Sequence, residues 1–435
     1  MTSALERESA NSRPSSIWSA RFDHDTGIRN VDLAVVLFAI LLPWSTTGAA
    51  IAAAVWVIGQ ILMLEFGAFL RLLKQPICAL PIAIFALALL GTLWSDAPWG
   101  ERLHAIGPTA KLLTLPLLLY HFERTSRGPW VFVAFLASCL LLMLASWVVA
   151  FYPNLSLKLY FSRGAYTAAS GIVVKNYIDQ SQEFVLCAVA LAYPVMASLR
   201  ANRIWPAALL AAIAASFLVN MMFVVISRTA LVTMPVMLAV FALMHLRPRT
   251  AIAALCGAAL LGAVVWSISP HLQATTEKFI TDYQHTTIQN NESGMGSRLI
   301  YWQKSLGFFA EAPVIGHGTG ATRGLFEQSA IGEQGAHALV VSNPHNQTLN
   351  VAVQWGVAGV VLLWAMWLVH LRLFRGEGLA NWIGLMVVVQ NIFTSLLNSH
   401  LFDFNEGWIY VLGVGVAGGM VLGAKRAAAA PHPDG

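Results

Sequence analysis

Charge is what this sequence has least of. Only 11% of its 435 residues are charged and 57% are apolar, whereas a soluble domain carries about 25% charged residues, so most of the chain has no water to face. Cysteine is scarce too. Cys78, Cys139, Cys187 and Cys256 each lie inside an apolar run, in neither metal nor disulfide spacing, and read as small packing residues. There is no Walker loop and no Gly-x-Ser-x-Gly elbow, which removes the sequence warrant for P-loop or serine-hydrolase chemistry. No internal repeat is visible, which speaks against transporters built from duplicated halves. The formal charge of +5 is spread in pairs between apolar runs, a pattern of membrane orientation rather than a nucleic-acid footprint.

What the sequence does have is long apolar runs, near 31–46, 48–66, 77–94, 105–121, 130–151, 183–199, 204–226, 229–246, 250–268, 346–371, 379–397 and 407–424. About 20 apolar residues span a bilayer, and backbone groups in lipid must bond within their own chain. These runs therefore predict an all-α polytopic membrane protein of about twelve transmembrane helices. Alternate connections carry Arg71 with Lys74, Arg124 with Arg127, Arg200 with Arg203, Arg247 with Arg249, Arg372 with Arg375, and Lys425 with Arg426. The basic bias places these connections and both termini in the cytoplasm. Residues 1–29, polar and without a signal-peptide core, read as a cytoplasmic tail, and 425–435 as a second tail. Between them lie spans 1–9 over 30–268, an external loop over 269–345, and spans 10–12 over 346–424.

A loop of that length is usually functional. Inside it Leu299, Trp302, Leu306 and Phe309 recur at helical spacing. Ser297 is the expected cap, Pro313 with Gly316 the expected stop, and the helix is expected on the membrane surface or against the bundle. Seven of the twelve histidines fall on the external side (His104, His271, His285, His317, His337, His345 and His400). None is paired with another at zinc-helix spacing, so no metal is expected. The run Gly316-His317-Gly318-Thr319-Gly320 reads as an ordinary turn, with a phosphate-cradling loop as the alternative. Lys111 stands apart from the basic alternation and is expected to snorkel outward or to pair with Glu101.

Arg228, in Ser227-Arg228-Thr229, is wedged between two apolar spans with no carboxylate nearby in sequence. A guanidinium there is costly unless it has a task, and arginine grips phosphate oxygens bidentately while keeping its charge. Arg298 opens the loop helix, and Arg163, Lys175 and Arg323 share its side; Arg163 and Arg323 read as solvated or paired charges. In Asn343-Pro344-His345-Asn346 the proline rigidifies the entry to a span. A histidine there can take a proton from an attacking hydroxyl, though a lone histidine is more often structural and the residues alone leave both roles open. Asn346 either orients that ring or caps the helix.

Together these segments resemble the O-antigen ligase and polymerase superfamily of bacterial membrane glycosyltransferases. The resemblance runs through Leu93-Trp94-Ser95, Lys175-Asn176, Ser227-Arg228, Gly296-Ser297-Arg298 with Trp302, and Pro313 to Gly320. It ends on Pro344-His345-Asn346-Gln347-Thr348-Leu349 with Gly356 and Gly359, and covers roughly residues 90–420. It implies cofactor-free, metal-independent transfer from an undecaprenyl-diphosphate-linked glycan on the periplasmic face of the inner membrane. In the ligase branch the acceptor is a hydroxyl of the lipid A–core oligosaccharide. Carried onto this chain, Arg228 and Arg298 hold the diphosphate and His345 is the base, with Lys175, Asn176, His317 and Asn346 as substrate-binding candidates. The polymerase branch is the close alternative; a protein O-oligosaccharyltransferase is disfavoured because those chains are usually larger. A lipid-linked-glycan flippase is the alternative from another class, disfavoured because the candidate charges cluster at one face.

Overall fold

A computed structural model describes residues 24–152, 171–225, 227–287, 290 and 294–429; Arg163 lies outside them. The helices run in the order α1 (His24–Leu41), α2 (Thr46–Leu62), α3 (Phe66–Leu73), α4 (Pro76–Leu90), α5 (Trp99–Ala110), α6 (Leu115–Phe122), α7 (Gly128–Phe151), α8 (Tyr177–Ala190) and α9 (Ala192–Arg200). They continue with α10 (Ile204–Phe223), α11 (Arg228–His245), α12 (Pro248–Ile268), α13 (Pro270–Thr287), α14 (Gly296–Glu311), α15 (Thr322–Ser329), α16 (Gln347–Leu373), α17 (Leu379–Thr394) and α18 (Phe404–Ala429). No strand occurs among the described residues. The all-α polytopic fold is present.

The twelve runs do not become twelve long helices. Among the described residues eight helices are long and apolar enough to cross a membrane, or nine if α2 and α3, bent by 115°, form one broken span. The run near 105–121 is split into α5, a 3₁₀ turn over Lys111–Thr114, and α6, with Pro108 inside α5 removing a backbone donor. The helix α17 has only 16 residues. Connections that the basic alternation puts on one side do meet: Arg426 reaches Glu123 at 2.9 Å, and Arg200 donates to the His245 carbonyl at 3.1 Å. Most of the bundle shares one apolar core, with Trp56, Phe184, Phe217, Trp355, Trp367 and Phe374 fully buried.

The region after α12 is built rather than loose. It holds α13, α14 and α15, and a small second core of Tyr301, Phe308, Phe326 and Val353 fastens α14 to the first half of α16. The buried face of α14 is thus Ile300, Tyr301, Ser305 and Phe308, while Leu299 and Leu306 are exposed. This corrects the stripe expected from spacing by one position. Ser297 lies inside the helix, and the N-cap position is Met295, with no side-chain cap. The expected stop holds, since α14 ends at Glu311, ahead of Pro313.

The first half of α16 is a half-helix. At Gly356 the backbone leaves helical geometry (φ 60°, ψ −155°), a conformation that suits glycine. The break frees two acceptors and two donors, and the chain from Pro313 to Gly318 takes up all four. His317 N–H donates to the Val353 carbonyl and Gly318 N–H to that of Gln354, both at 2.9 Å. In return Val357 N–H donates to Pro313 O at 2.8 Å and Ala358 N–H to Val314 O at 3.3 Å. Broken helices persist at membrane depth only where such partners re-satisfy the backbone. A Cβ at position 356 would lie 2.4 Å from the Val314 carbonyl carbon and oxygen. Gly356→Ala is therefore expected to lower the heating midpoint of detergent-solubilised protein, followed by size-exclusion chromatography. Gly307→Ala, in a helix with open space around the new methyl, should leave it unchanged or slightly raised.

Candidate active site

Two of the predicted cations come together at one end of the bundle. Arg228 occupies the first position of α11, which Ser227 caps by accepting from Ala230 N–H at 3.1 Å. Arg298 lies in the first turn of α14. Both residues therefore sit at helix starts, where the helix dipole already favours an anion. Arg298 is held below the usual arginine range by burial and then by the charge of Arg228, with Tyr177, Asp282 and Tyr301 acting the other way. Two mutually repelling guanidiniums in a half-buried place form a site that gains from a multivalent anion.

Arg228 is not the unpaired charge that the sequence suggested. It forms an ion pair with Asp282 of α13, which also accepts from Met295 N–H at 3.1 Å. Asp282 thereby couples α11, α13 and the start of α14. Gly296 permits the approach, because a Cβ there would lie 2.5 Å from the Asp282 carbonyl. Sequence reading missed Asp282 because it is 54 residues from its partner.

His345 borders the same cluster. Its ring lies 6.2 Å from that of Tyr301, one turn along α14 from Arg298. Its backbone takes a left-handed conformation (φ 55°), unusual for a non-glycine residue and one that surroundings must hold. Asn343 Oδ1 accepts from His345 N–H at 2.9 Å and from Ser399 Oγ at 2.7 Å. Asn346 caps α16 by accepting from Leu349 N–H and donates from its amide to the Leu396 carbonyl. Asn346 is thus a cap and tether; the ring is oriented by Asn398, whose Oδ1 lies 2.7 Å from His345 Nδ1. Burial, first, and the Arg298 charge push His345 below the usual histidine range, against the bond to Asn398.

The remaining candidates are occupied within the fold. Lys175 is nearly buried, bonded to the Leu42 carbonyl and Asn405 Oδ1, with Glu183 at 4.0 Å. Asn176 caps α8, accepting from Ile178 and Asp179 N–H groups at 2.8 and 2.9 Å. His317 holds the Phe308 carbonyl through Nε2 at 2.7 Å. Four amides of the glycine-rich run, from His317 to Gly320, donate to protein acceptors, so it is a structural turn and not a phosphate cradle. Arg323 pairs with Glu327 at 2.9 Å and is largely exposed. Lys111 does not pair with Glu101: its ammonium is buried and donates to the carbonyls of Phe402 and Asp403.

Beside Asn398 opens a cavity of about 280 Å³, lined by Asn176, Asp179, His400, Asp403, Asn405 and Glu406 among others. The donor atoms of His400, Asp403 and Glu406 lie within 4.8 Å of one another, a grouping capable of ligating a metal that a search for zinc-helix spacing does not find. Burial and the neighbouring charges of Arg298 and His345 push His400 down to about 3. Burial, against Lys111 and with Asp179, pushes Asp403 up to about 6. The Lys111 ammonium already supplies positive charge to this cluster.

The fold and the site define a multi-pass α-helical membrane protein with a polar centre at one end of its bundle, where two helix-start arginines meet a histidine held in a strained turn. Residues 213–364 match the family model described as O-antigen ligase, a match that supports an O-antigen ligase-family protein and agrees with the resemblance that its motifs carry. The matched stretch includes Arg228, Arg298, His317, His345 and Asn346, and excludes Lys175 and Asn176. No curated protein matches the chain.

Proposed function

We propose that this protein transfers a glycan from undecaprenyl diphosphate to a hydroxyl of the lipid A–core oligosaccharide, at the periplasmic face of the inner membrane. The observation that carries the reading is the convergence of Arg228, Arg298 and His345 from three separate helix starts. When the sugar departs, negative charge develops on the diphosphate, and preorganised guanidiniums stabilise it there. His345 Nε2 takes the proton of the acceptor hydroxyl as that oxygen attacks the anomeric carbon. Attack opposite the departing diphosphate inverts the anomeric configuration.

The test incubates purified protein with lipid-linked O-antigen and, separately, lipid A–core or a lipid-linked glycan acceptor. Product on lipid A–core supports the ligase reading. Elongated lipid-linked product with none on lipid A–core replaces it with a polymerase. Translocation without any glycosidic product would make the protein a transporter. In the same assay, chelation with EDTA is expected to leave transfer within about twofold of the untreated rate, since arginines and Lys111 supply the positive charge. Loss of activity restored by one divalent ion would instead assign a metal to the His400–Asp403–Glu406 group.

A further inference from the structure

His345 does not end the hydrogen-bonded chain at Asn398. The side-chain amide of Asn398 reaches Asp403 Oδ2 at 2.8 Å on its other side, so three residues stand in line: His345, Asn398, Asp403. The direction of each bond follows from chemistry. An ionised carboxylate only accepts, so the NH₂ of Asn398 must face Asp403. That turns the Asn398 carbonyl oxygen toward His345 Nδ1, and an oxygen can receive only a donor. His345 must then carry its proton on Nδ1, which leaves a lone pair on Nε2.

We propose that Asp403 acts through Asn398 as a positioning residue that fixes the tautomer of His345, presenting Nε2 bare to the acceptor hydroxyl. This rests on the reading of His345 as the base. It parallels the general logic in which a group behind a catalytic imidazole sets its tautomer and orientation, with an amide inserted between carboxylate and ring. The segment is built to hold still. The Lys111 ammonium binds the carbonyls of Phe402 and Asp403, and Asp403 N–H donates to the Ser399 carbonyl at 3.0 Å. The same line explains the spacing of the connection after α17, since Ser399 meets Asn343 while Asn398 meets His345. Other charged or titratable groups around the line are Arg298 with Arg228 behind it, Tyr301, His400 (3.9 Å from Asp403 Oδ2), Glu406, Lys111 and Asp179.

A swap tests the inference. Asp403→Asn removes the carboxylate that, among the described residues, dictates how the Asn398 amide faces, so the amide can turn its NH₂ to Nδ1 and favour the wrong tautomer. Transfer should fall by about 10²-fold in kcat, approaching the loss of the base itself, with acceptor KM changed less than twofold. Asn398→Leu, similar in size with neither bond, should fall comparably. The double variant Asn398→Asp/Asp403→Asn moves the carboxylate beside the ring and the amide behind it, which restores the direction of the chain. It should recover at least tenfold over Asp403→Asn, and the acid limb of its pH profile should move to higher pH because a carboxylate now abuts the imidazole. A purely structural Asp403 would not be rescued by moving its charge one place along the line. The proposal is overturned if Asp403→Asn or Asn398→Leu transfers near the wild-type rate, or if the double variant, binding donor as wild type does, is no better than Asp403→Asn. His345→Ala run beside them separates the two levels. If it still transfers, the base assignment fails; if it does not and the swap also fails, only the positioning role is wrong.

Discussion

Replacing His345 with alanine is expected to reduce glycan transfer by about 10²–10⁴-fold, the usual contribution of a positioned base, while insertion in the membrane and donor binding persist. The reason for confining the loss to the chemical step is spatial. In the proposed reading the donor-side charges are Arg228 and Arg298, and the latter is held by the packing of α14 against α16 through Tyr301 and Phe308, not by His345. The wild-type pH profile follows from the direction of the shift. His345 acts as a base only when neutral, and burial with the Arg298 charge lowers its pKa, so it stays neutral to a lower pH than an ordinary histidine. Activity should be flat through neutrality and fall only below the usual histidine value near 6.5. Asp403, pushed up to about 6, takes up its own proton in that region and weakens the line behind the imidazole, which steepens the same limb. Of the competing histidines, the His317 ring holds the Phe308 carbonyl, while at His337 it is the backbone carbonyl that receives the Lys304 ammonium, at 2.6 Å, a bond that survives alanine. Alanine at His337 should therefore be mild. Near-wild-type transfer by His345→Ala, with loss in His317→Ala or His337→Ala, would move the base elsewhere.

The arginines and the histidine were legible because each breaks a local rule. A guanidinium between two apolar spans and a histidine after proline at a helix entry are conspicuous in a sequence with so little charge. Their partners were not legible, for the opposite reason. Asp282 is an ordinary acid on a polar helix, Asn398 and Asp403 sit in a short connection, and Glu183 and Glu406 fall at the edges of apolar runs where hydropathy hides them. The bonds that bring Asp282 and Asn398 to the site, Arg228–Asp282 and His345–Asn398, span more than 50 residues of chain, and no periodicity reports a contact of that kind. Apolar runs gave the helices, but run length did not reveal where proline, glycine and buried lysine interrupt them. At the break at Gly356 the lost helix bonds are replaced from elsewhere in the chain. The face of α14 was misread by one residue because this helix exposes apolar side chains too, so leucine spacing marks two faces rather than one.

Arg228→Lys is expected to cost about 10²-fold in donor-dependent transfer, more than a charge-conserving change suggests. In the proposed reading the guanidinium has two tasks at once: it pairs with Asp282, and its planar fork also grips phosphate oxygens. An ammonium is a single point of charge, and bonded to Asp282 it offers the diphosphate little directed contact. Removing one preorganised donor from developing negative charge typically costs about 10²–10³-fold. Arg298→Lys should fall in the same range. The pair tests whether they act on one anion: two contacts to a single diphosphate give a combined loss that departs from the product of the single losses, because each positions the group the other binds. Asp282→Asn supplies the control. It removes the Asp282 charge from beside Arg228, so a role limited to neutralising that charge predicts donor binding at least as tight as wild type, whereas a role in aiming the fork predicts weaker binding. Photocrosslinking of the lipid-diphosphate donor, with acceptor omitted, reads binding apart from transfer. If Arg228→Lys binds donor and transfers at close to the wild-type rate, Arg228 is a boundary charge tied to Asp282, and the diphosphate belongs to Arg298 alone.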